Sequence, residues 1–89
     1  MPSVDITVTN KLGLHARASA KLTQLASKHR SEIHIARGSR RVNAKSIMGV
    51  MMLAAGLGSV VTVDAEGDDA AEALEQIRAL FDNKFGESD

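Results

Sequence analysis

The sequence predicts an α+β fold in two layers, an antiparallel sheet with helices packed on one of its faces. Three observations lead there. Residues 4–9 and 32–37 alternate apolar and polar side chains, as strands do when one face is buried and the other wet. Elsewhere apolar residues recur at the three- and four-residue spacings of helices. The order of elements is strand, helix, strand, strand, helix, strand, helix, which suits helices gathered on one side of one sheet.

The first strand, residues 4–9, puts Val4, Ile6 and Val8 on one face and Asp5, Thr7 and Thr9 on the other. Residues 10–14 follow as a loop, with Gly13 relaxing the backbone. A helix is expected from Ala16 to about Lys28, with Ala18, Leu22, Leu25 and Ala26 along its inner face. Residues 32–37 form the next strand, with Ile33 and Ile35 inward and His34 outward. Gly38 and Ser39 make a tight turn into a partner strand over residues 40–43. A short apolar helix over residues 47–53 runs into a glycine-containing loop at 55–59, and a valine-rich strand spans 60–66. Asp68 or Asp69 caps a last helix. Its stripe is Ala70, Leu74, Ile77, Phe81 and Phe85, with Leu80 alongside, and residues 86–89 are expected to fray.

With 89 residues the chain has room for one domain, over residues 1–89 and structured from about 4 to 85, and 44% apolar content suits a packed core. Phe81 and Phe85 are the only aromatic residues, so that core is largely aliphatic. Formal net charge is zero, without the basic excess of a nucleic-acid binder. The charge is unevenly spread. Basic residues concentrate between 11 and 45, where Glu32 is the only acid, and most acids fall between 64 and 89. A positive end of this kind favours an anionic ligand or an acidic partner surface. The absence of cysteine excludes disulfides and thiolate metal sites. No apolar run approaches the roughly 20 residues of a membrane span, and the first residues lack the features of a signal peptide, so a cytoplasmic location is expected.

Two segments carry chemistry. His15 lies in Gly13-Leu14-His15-Ala16-Arg17, where a loop becomes a helix. The first backbone N–H groups of a helix lack internal partners and, with the dipole, form an anion site. Arg17 adds a fork of donors suited to phosphate oxygens, and a neutral imidazole there can attack phosphorus and carry a covalent intermediate. On this spacing alone, a helix-capping histidine is an equally good reading. The second segment is Lys45-Ser46-Ile47-Met48-Gly49-Val50-Met51. Ser46 fits the N-cap of the short helix, and phosphate there would bring about −1.5 to −2 charges to a helix N-terminus, stabilising it. Ile47, Met48, Met51 and Met52 are too many large apolar groups for so short a helix to bury. About half are expected in the core and the rest in an exposed patch for partners. His29 and His34 read as surface residues, and Arg37, Arg40 and Arg41 as solvated charges flanking a turn. No metal ligand set, Ser-His-Asp triad or glycine-rich phosphate loop is evident.

Taken together, the His15 and Ser46 segments, about thirty residues apart, resemble the HPr family over nearly the whole chain. The resemblance implies an open-faced β-sandwich, a four-stranded antiparallel sheet with three helices on one face (βαββαβα). It implies a phosphocarrier, not an enzyme and without a cofactor. His15 would take a phosphoryl group on Nδ1 from phosphorylated enzyme I and pass it to a histidine of a IIA domain of the sugar phosphotransferase system. Arg17 would stabilise the phosphoryl group. Ser46 matches a regulatory serine phosphorylated in some bacteria by an HPr kinase/phosphorylase. Ile47, Met48 and Met51, with Ala20, Lys21 and Gln24, match a partner-docking surface, and a monomer docking transiently is the implied state. Many family members have proline where this chain has Ala18, and alanine is expected to loosen the first helical turn slightly.

Two other readings remain in play at this level. One is a regulatory interaction module whose targets depend on phosphorylation at Ser46 or His15, including the nitrogen-branch carriers that resemble this family. The other is a small acylphosphatase-like hydrolase, disfavoured because no Arg and Asn pair accompanies a glycine-containing phosphate loop.

Overall fold

The computed structural model describes residues 2–87. Its elements run β1 (Ser3–Thr7), α1 (Ala16–Ser27), β2 (Glu32–Arg37), β3 (Arg40–Asn43), α2 (Ile47–Met52), β4 (Val60–Glu66) and α3 (Ala70–Asp82), followed by a single 3₁₀ turn over Lys84–Gly86. The four strands form one antiparallel sheet in the order β1-β4-β2-β3. This is the open-faced β-sandwich the resemblance implied.

Register follows from the alternation. β4 lies between β1 and β2, pairing Val61 with Ile6 and Val63 with both Val4 and Ile35. One residue of slip would carry this whole apolar set to the wet face. The inward side chains Ile6, Ile33, Ile35, Val61, Val63 and Ala65 meet Ala18, Leu22 and Ala26 of α1, Val50 of α2, and Ala70, Ala73, Leu74, Ile77 and Phe81 of α3 in one buried cluster. Leu25, expected on the inner stripe of α1, packs at its margin, and Ser19 is buried instead. Residues 8 and 9 fall outside β1, although Val8 keeps ladder-like bonds, its N–H to Ser59 O at 2.8 Å and its O from Gly58 N at 2.9 Å.

The apolar residues of α2 are divided differently from the expectation that half are core. Val50 and Leu53 are buried, while Ile47, Met48, Met51 and Met52 are all between 39% and 67% exposed. A six-residue helix turns less than twice, so it presents only a narrow inner face.

The last helix also ends earlier than its stripe. It stops at Asp82, and Lys84 and Phe85 take left-handed backbone angles (φ 53° and 57°). For residues other than glycine this costs about 1–3 kcal/mol each. The burial of Phe85, edge-on against Phe81 with ring centroids 4.8 Å apart, offsets that strain. Phe85 therefore reaches the core by a reversal of the chain, not by another helical turn. Gly86 and Glu87, expected to fray, are held in place. Ser88 and Asp89, named with them, lie outside the described residues. No helix among the described residues is long and apolar enough to cross a membrane.

Three polar expectations are corrected. His29 is 7% exposed, not a surface residue, with Nδ1 3.3 Å from Asp69 Oδ2 and Nε2 3.1 Å from Gln76 Oε1. Asp69 stands at the N-cap of α3 but makes no side-chain cap bond, because its carboxylate points to the α1–β2 connection. The hairpin arginines are also engaged. Arg41 forks onto Asp64 (3.2 and 2.8 Å), while Arg37 and Arg40 each donate at 3.2 Å to carbonyls at the C-terminal end of α2, Leu53 O and Met52 O. Those carbonyls have no acceptor role left inside the helix, and the negative dipole end attracts cations. His34 is half-buried, its Nδ1 3.9 Å from Asp64 Oδ1.

Candidate functional site

His15 is the N-cap of α1, with an extended backbone (φ −75°, ψ −178°), and its carbonyl accepts from Ser19 N at 2.8 Å. Its ring folds back over the helix start so that Nδ1 accepts from Arg17 N at 3.3 Å. Capping of this kind is usually the work of a hydroxyl or carboxylate oxygen. Here it sets an aromatic nitrogen lone pair among the orphan N–H groups of the first turn, where the helix favours negative charge. The cap and nucleophile readings of His15 are thus compatible, since one atom occupies both places.

The loop before His15 is pinned. Leu14 N donates to Ala55 O at 2.9 Å, and Ser19 Oγ donates to Leu14 O at 3.0 Å, tying the loop to the α2–β4 connection and to α1. Gly13 has φ +68°, and a Cβ there would lie 2.5 Å from Ala55 O and 2.7 Å from the Cα of Gly56. Both the angle and the close approach require glycine. Asn10, wholly buried, donates from Nδ2 to Gly13 O at 2.7 Å.

The other nitrogen of the ring meets a residue no sequence pattern singled out. His15 Nε2 lies 2.5 Å from Glu87 Oε2, and Glu87 Oε1 accepts from Asn10 Nδ2 at 3.2 Å. The bond to His15 is the largest influence holding the Glu87 carboxyl below its ordinary value. Partial burial opposes it, and Asn10 and the nearby charge of Lys21 reinforce it.

Arg17 is exposed, and among the described residues its guanidinium has no hydrogen-bond or ion-pair partner. Ala18 is fully buried. Ser46 caps α2 as expected, its Oγ accepting from Gly49 N at 3.1 Å. Of the docking residues, Ile47, Met48, Met51 and Gln24 are exposed and Ala20 half-buried. Lys21 is half-buried too, and its Nζ donates to Phe85 O at 2.5 Å, so its charge is directed toward the C-terminal turn. α1 and α2 pack against one another, bringing the two sequence motifs to one side of the molecule. Among the described residues, no group of three or more His, Asp or Glu stands in an arrangement for a metal ion.

Residues 2–83 match the family model described as PTS HPr component phosphorylation site. The phosphocarrier protein HPr of Cupriavidus necator is 59% identical over 85 residues, 96% of each chain. The crystal structure of HPr-C-His from Thermoanaerobacter tengcongensis matches with a TM-score of 0.95 at 48% identity, over 99% of both chains. A crystal structure from the same organism described as an HPr dimer gives 0.79 at 48% identity, over 98% of this chain and 100% of that one. Fold and relatives define a phosphocarrier, a protein that carries a phosphoryl group in a relay and is not itself an enzyme. The chain belongs to the HPr family of the phosphotransferase system.

Proposed function

We propose that His15 is the phosphoacceptor and that its Nδ1 is the attacking atom. The observation that carries this reading is the Nδ1 lone pair held at the N-terminus of α1, 3.3 Å from Arg17 N. A phosphoryl group bound at Nδ1 would take over that N–H and meet the positive end of the helix. The exposed guanidinium of Arg17 swings onto its oxygens and shares their charge in the transition state.

The donor is phosphorylated enzyme I and the acceptor a histidine of a IIA domain. Ala20, Lys21, Gln24, Ile47, Met48 and Met51 form the surface on which both dock in turn. Exposed methionines suit a surface that must fit more than one partner, because their side chains repack readily. Ser46 is the regulatory site, open to an HPr kinase/phosphorylase. Phosphate there keeps the helix cap, adds charge beside the docking methionines, and repels an acidic partner. Residues 1–89 act as one domain in the cytoplasm, as a single copy that docks transiently.

Incubation with phosphoenolpyruvate and enzyme I, followed by intact mass, tests the central reading. The expected result is one added phosphate, lost in acid and absent in His15→Ala. Uptake that persists in His15→Ala, or no uptake with a competent enzyme I, overturns it. Light scattering separates a single copy from a dimer.

A further inference from the structure

The C-terminal turn is built so as to bring one carboxylate to the histidine. Phe85 anchors it in the core, the left-handed angles at Lys84 and Phe85 reverse the chain, and Lys21 holds the Phe85 carbonyl. Glu87 then arrives with its side chain only 13% exposed, one oxygen on His15 Nε2 and the other on Asn10 Nδ2. Asn10 is buried and its amide is already fixed by Gly13 O, so the carboxylate is clamped from two sides.

The donors and acceptors around the ring leave one neutral state. An ionised carboxylate only accepts, so Nε2 must carry the hydrogen. A backbone N–H only donates, so Nδ1 must offer its lone pair to Arg17 N. We propose that Glu87 is a positioning residue for phosphoryl transfer, holding His15 as the Nε2–H tautomer with Nδ1 aimed at the incoming phosphorus. The proposal rests on His15 being the phosphoacceptor.

The chemistry balances without a proton transfer at His15. The Nδ1 lone pair forms the new N–P bond while the donor's bond to phosphorus breaks, its electron pair remaining on the donor. The Nε2 hydrogen stays on the ring, which becomes positively charged as the N–P bond forms. The Glu87 carboxylate, 2.5 Å away, offsets that charge as it develops. A buried aspartate plays the same part toward the histidine of a Ser-His-Asp triad, fixing the tautomer and stabilising the imidazolium.

The test compares the parent with Glu87→Gln, which keeps shape and an acceptor oxygen but loses the charge, and with Glu87→Ala, which loses both. Steady-state phosphorylation by enzyme I and phosphoenolpyruvate should show the maximal rate falling about ten- to a hundredfold in Glu87→Ala, the range of losses seen when the carboxylate orienting a metal-binding histidine is removed. Glu87→Gln should lie between, and the KM for enzyme I should stay within about twofold, because Glu87 acts on the ring and not on docking. Two-bond nitrogen–proton NMR of the His15 ring should show the single Nε2–H tautomer in the parent and a mixture in Glu87→Ala. Urea midpoints confirm that both variants are folded. A parent that is charged while Glu87→Ala is charged as fast, or slows only through KM, overturns this proposal and leaves the phosphoacceptor reading intact. A parent that takes no phosphate at His15 overturns both.

Discussion

Asp69 begins α3, yet its carboxylate binds Ser31, 38 residues earlier, through the backbone N–H at 3.0 Å and through the hydroxyl. The other oxygen accepts from Arg30 N at 3.0 Å and faces His29. One side chain thereby satisfies the backbone where α1 gives way to β2, and fixes the start of α3 against it. The Ser31 hydroxyl is the largest cause that holds the Asp69 carboxyl well below the usual carboxylate range. The N–H groups of Arg30 and Ser31 and the His29 contact add to it, against some desolvation.

Acid stability follows with a definite sign. A group whose folded pKa is depressed stabilises the native state fully above its unfolded value, here 3.8, and loses that contribution as pH falls through the folded pKa. Urea midpoints should therefore fall steadily from about pH 4 downward. Asp69→Asn should be less stable at neutral pH and show a shallower acid limb. A parallel limb in the variant would place the acid sensitivity elsewhere.

Gly13→Ala should both destabilise the protein and slow its phosphorylation. The new Cβ would meet Ala55 O at 2.5 Å on a backbone of positive φ. Relief requires the loop to leave the α2–β4 connection, and with it the start of α1. A cost of about 1–3 kcal/mol is expected in urea denaturation, with a lower rate of phosphate uptake under conditions where the variant remains folded.

At Ser46 stability and docking should separate. Ser46→Ala removes the acceptor for Gly49 N and should cost about 0.5–2 kcal/mol. Ser46→Asp keeps an acceptor at the N-cap and adds favourable charge, so its urea midpoint should stay near the parent's. Its phosphorylation by enzyme I should nonetheless slow, and recover partly in high salt as the charge is screened. Unchanged kinetics in Ser46→Asp would uncouple this serine from docking.

Met48 and Phe81 should behave as opposites. Met48 is 67% exposed, and Met48→Ala should shift stability by no more than about 0.5 kcal/mol while raising the KM for enzyme I several-fold. Phe81 is 1% exposed and packed on Phe85, so Phe81→Ala should cost about 3–5 kcal/mol. Equilibrium denaturation and transfer kinetics on the same samples distinguish the two.

Periodicity was enough for the architecture because most of the buried residues are aliphatic and their spacing reports the face they occupy. It placed Ile33 and Ile35 inward, Ser46 at a cap and His15 at the start of α1. Polar residues that act across long separations left no local trace. His29 and Asp69 are 40 residues apart, and Arg41 and Asp64 are 23 apart. Each reads as an ordinary surface charge until the fold brings its partner. Glu87 is the extreme case. A glycine and an acidic residue at the end of a chain look like a frayed tail, and only the reversal at Lys84 and Phe85 turns that segment toward His15.

The contact between His15 and Glu87 spans 72 residues, and that between Asn10 and Glu87 spans 77. Along the chain, His15 precedes α1, and Glu87 follows α3 and the 3₁₀ turn. Phe85, whose ring completes the core, lies two residues before Glu87, so closing the core and bringing the carboxylate to the histidine depend on the same short segment. Loss of that segment would therefore cost the fold an anchor and the His15 ring its contact at Nε2 together.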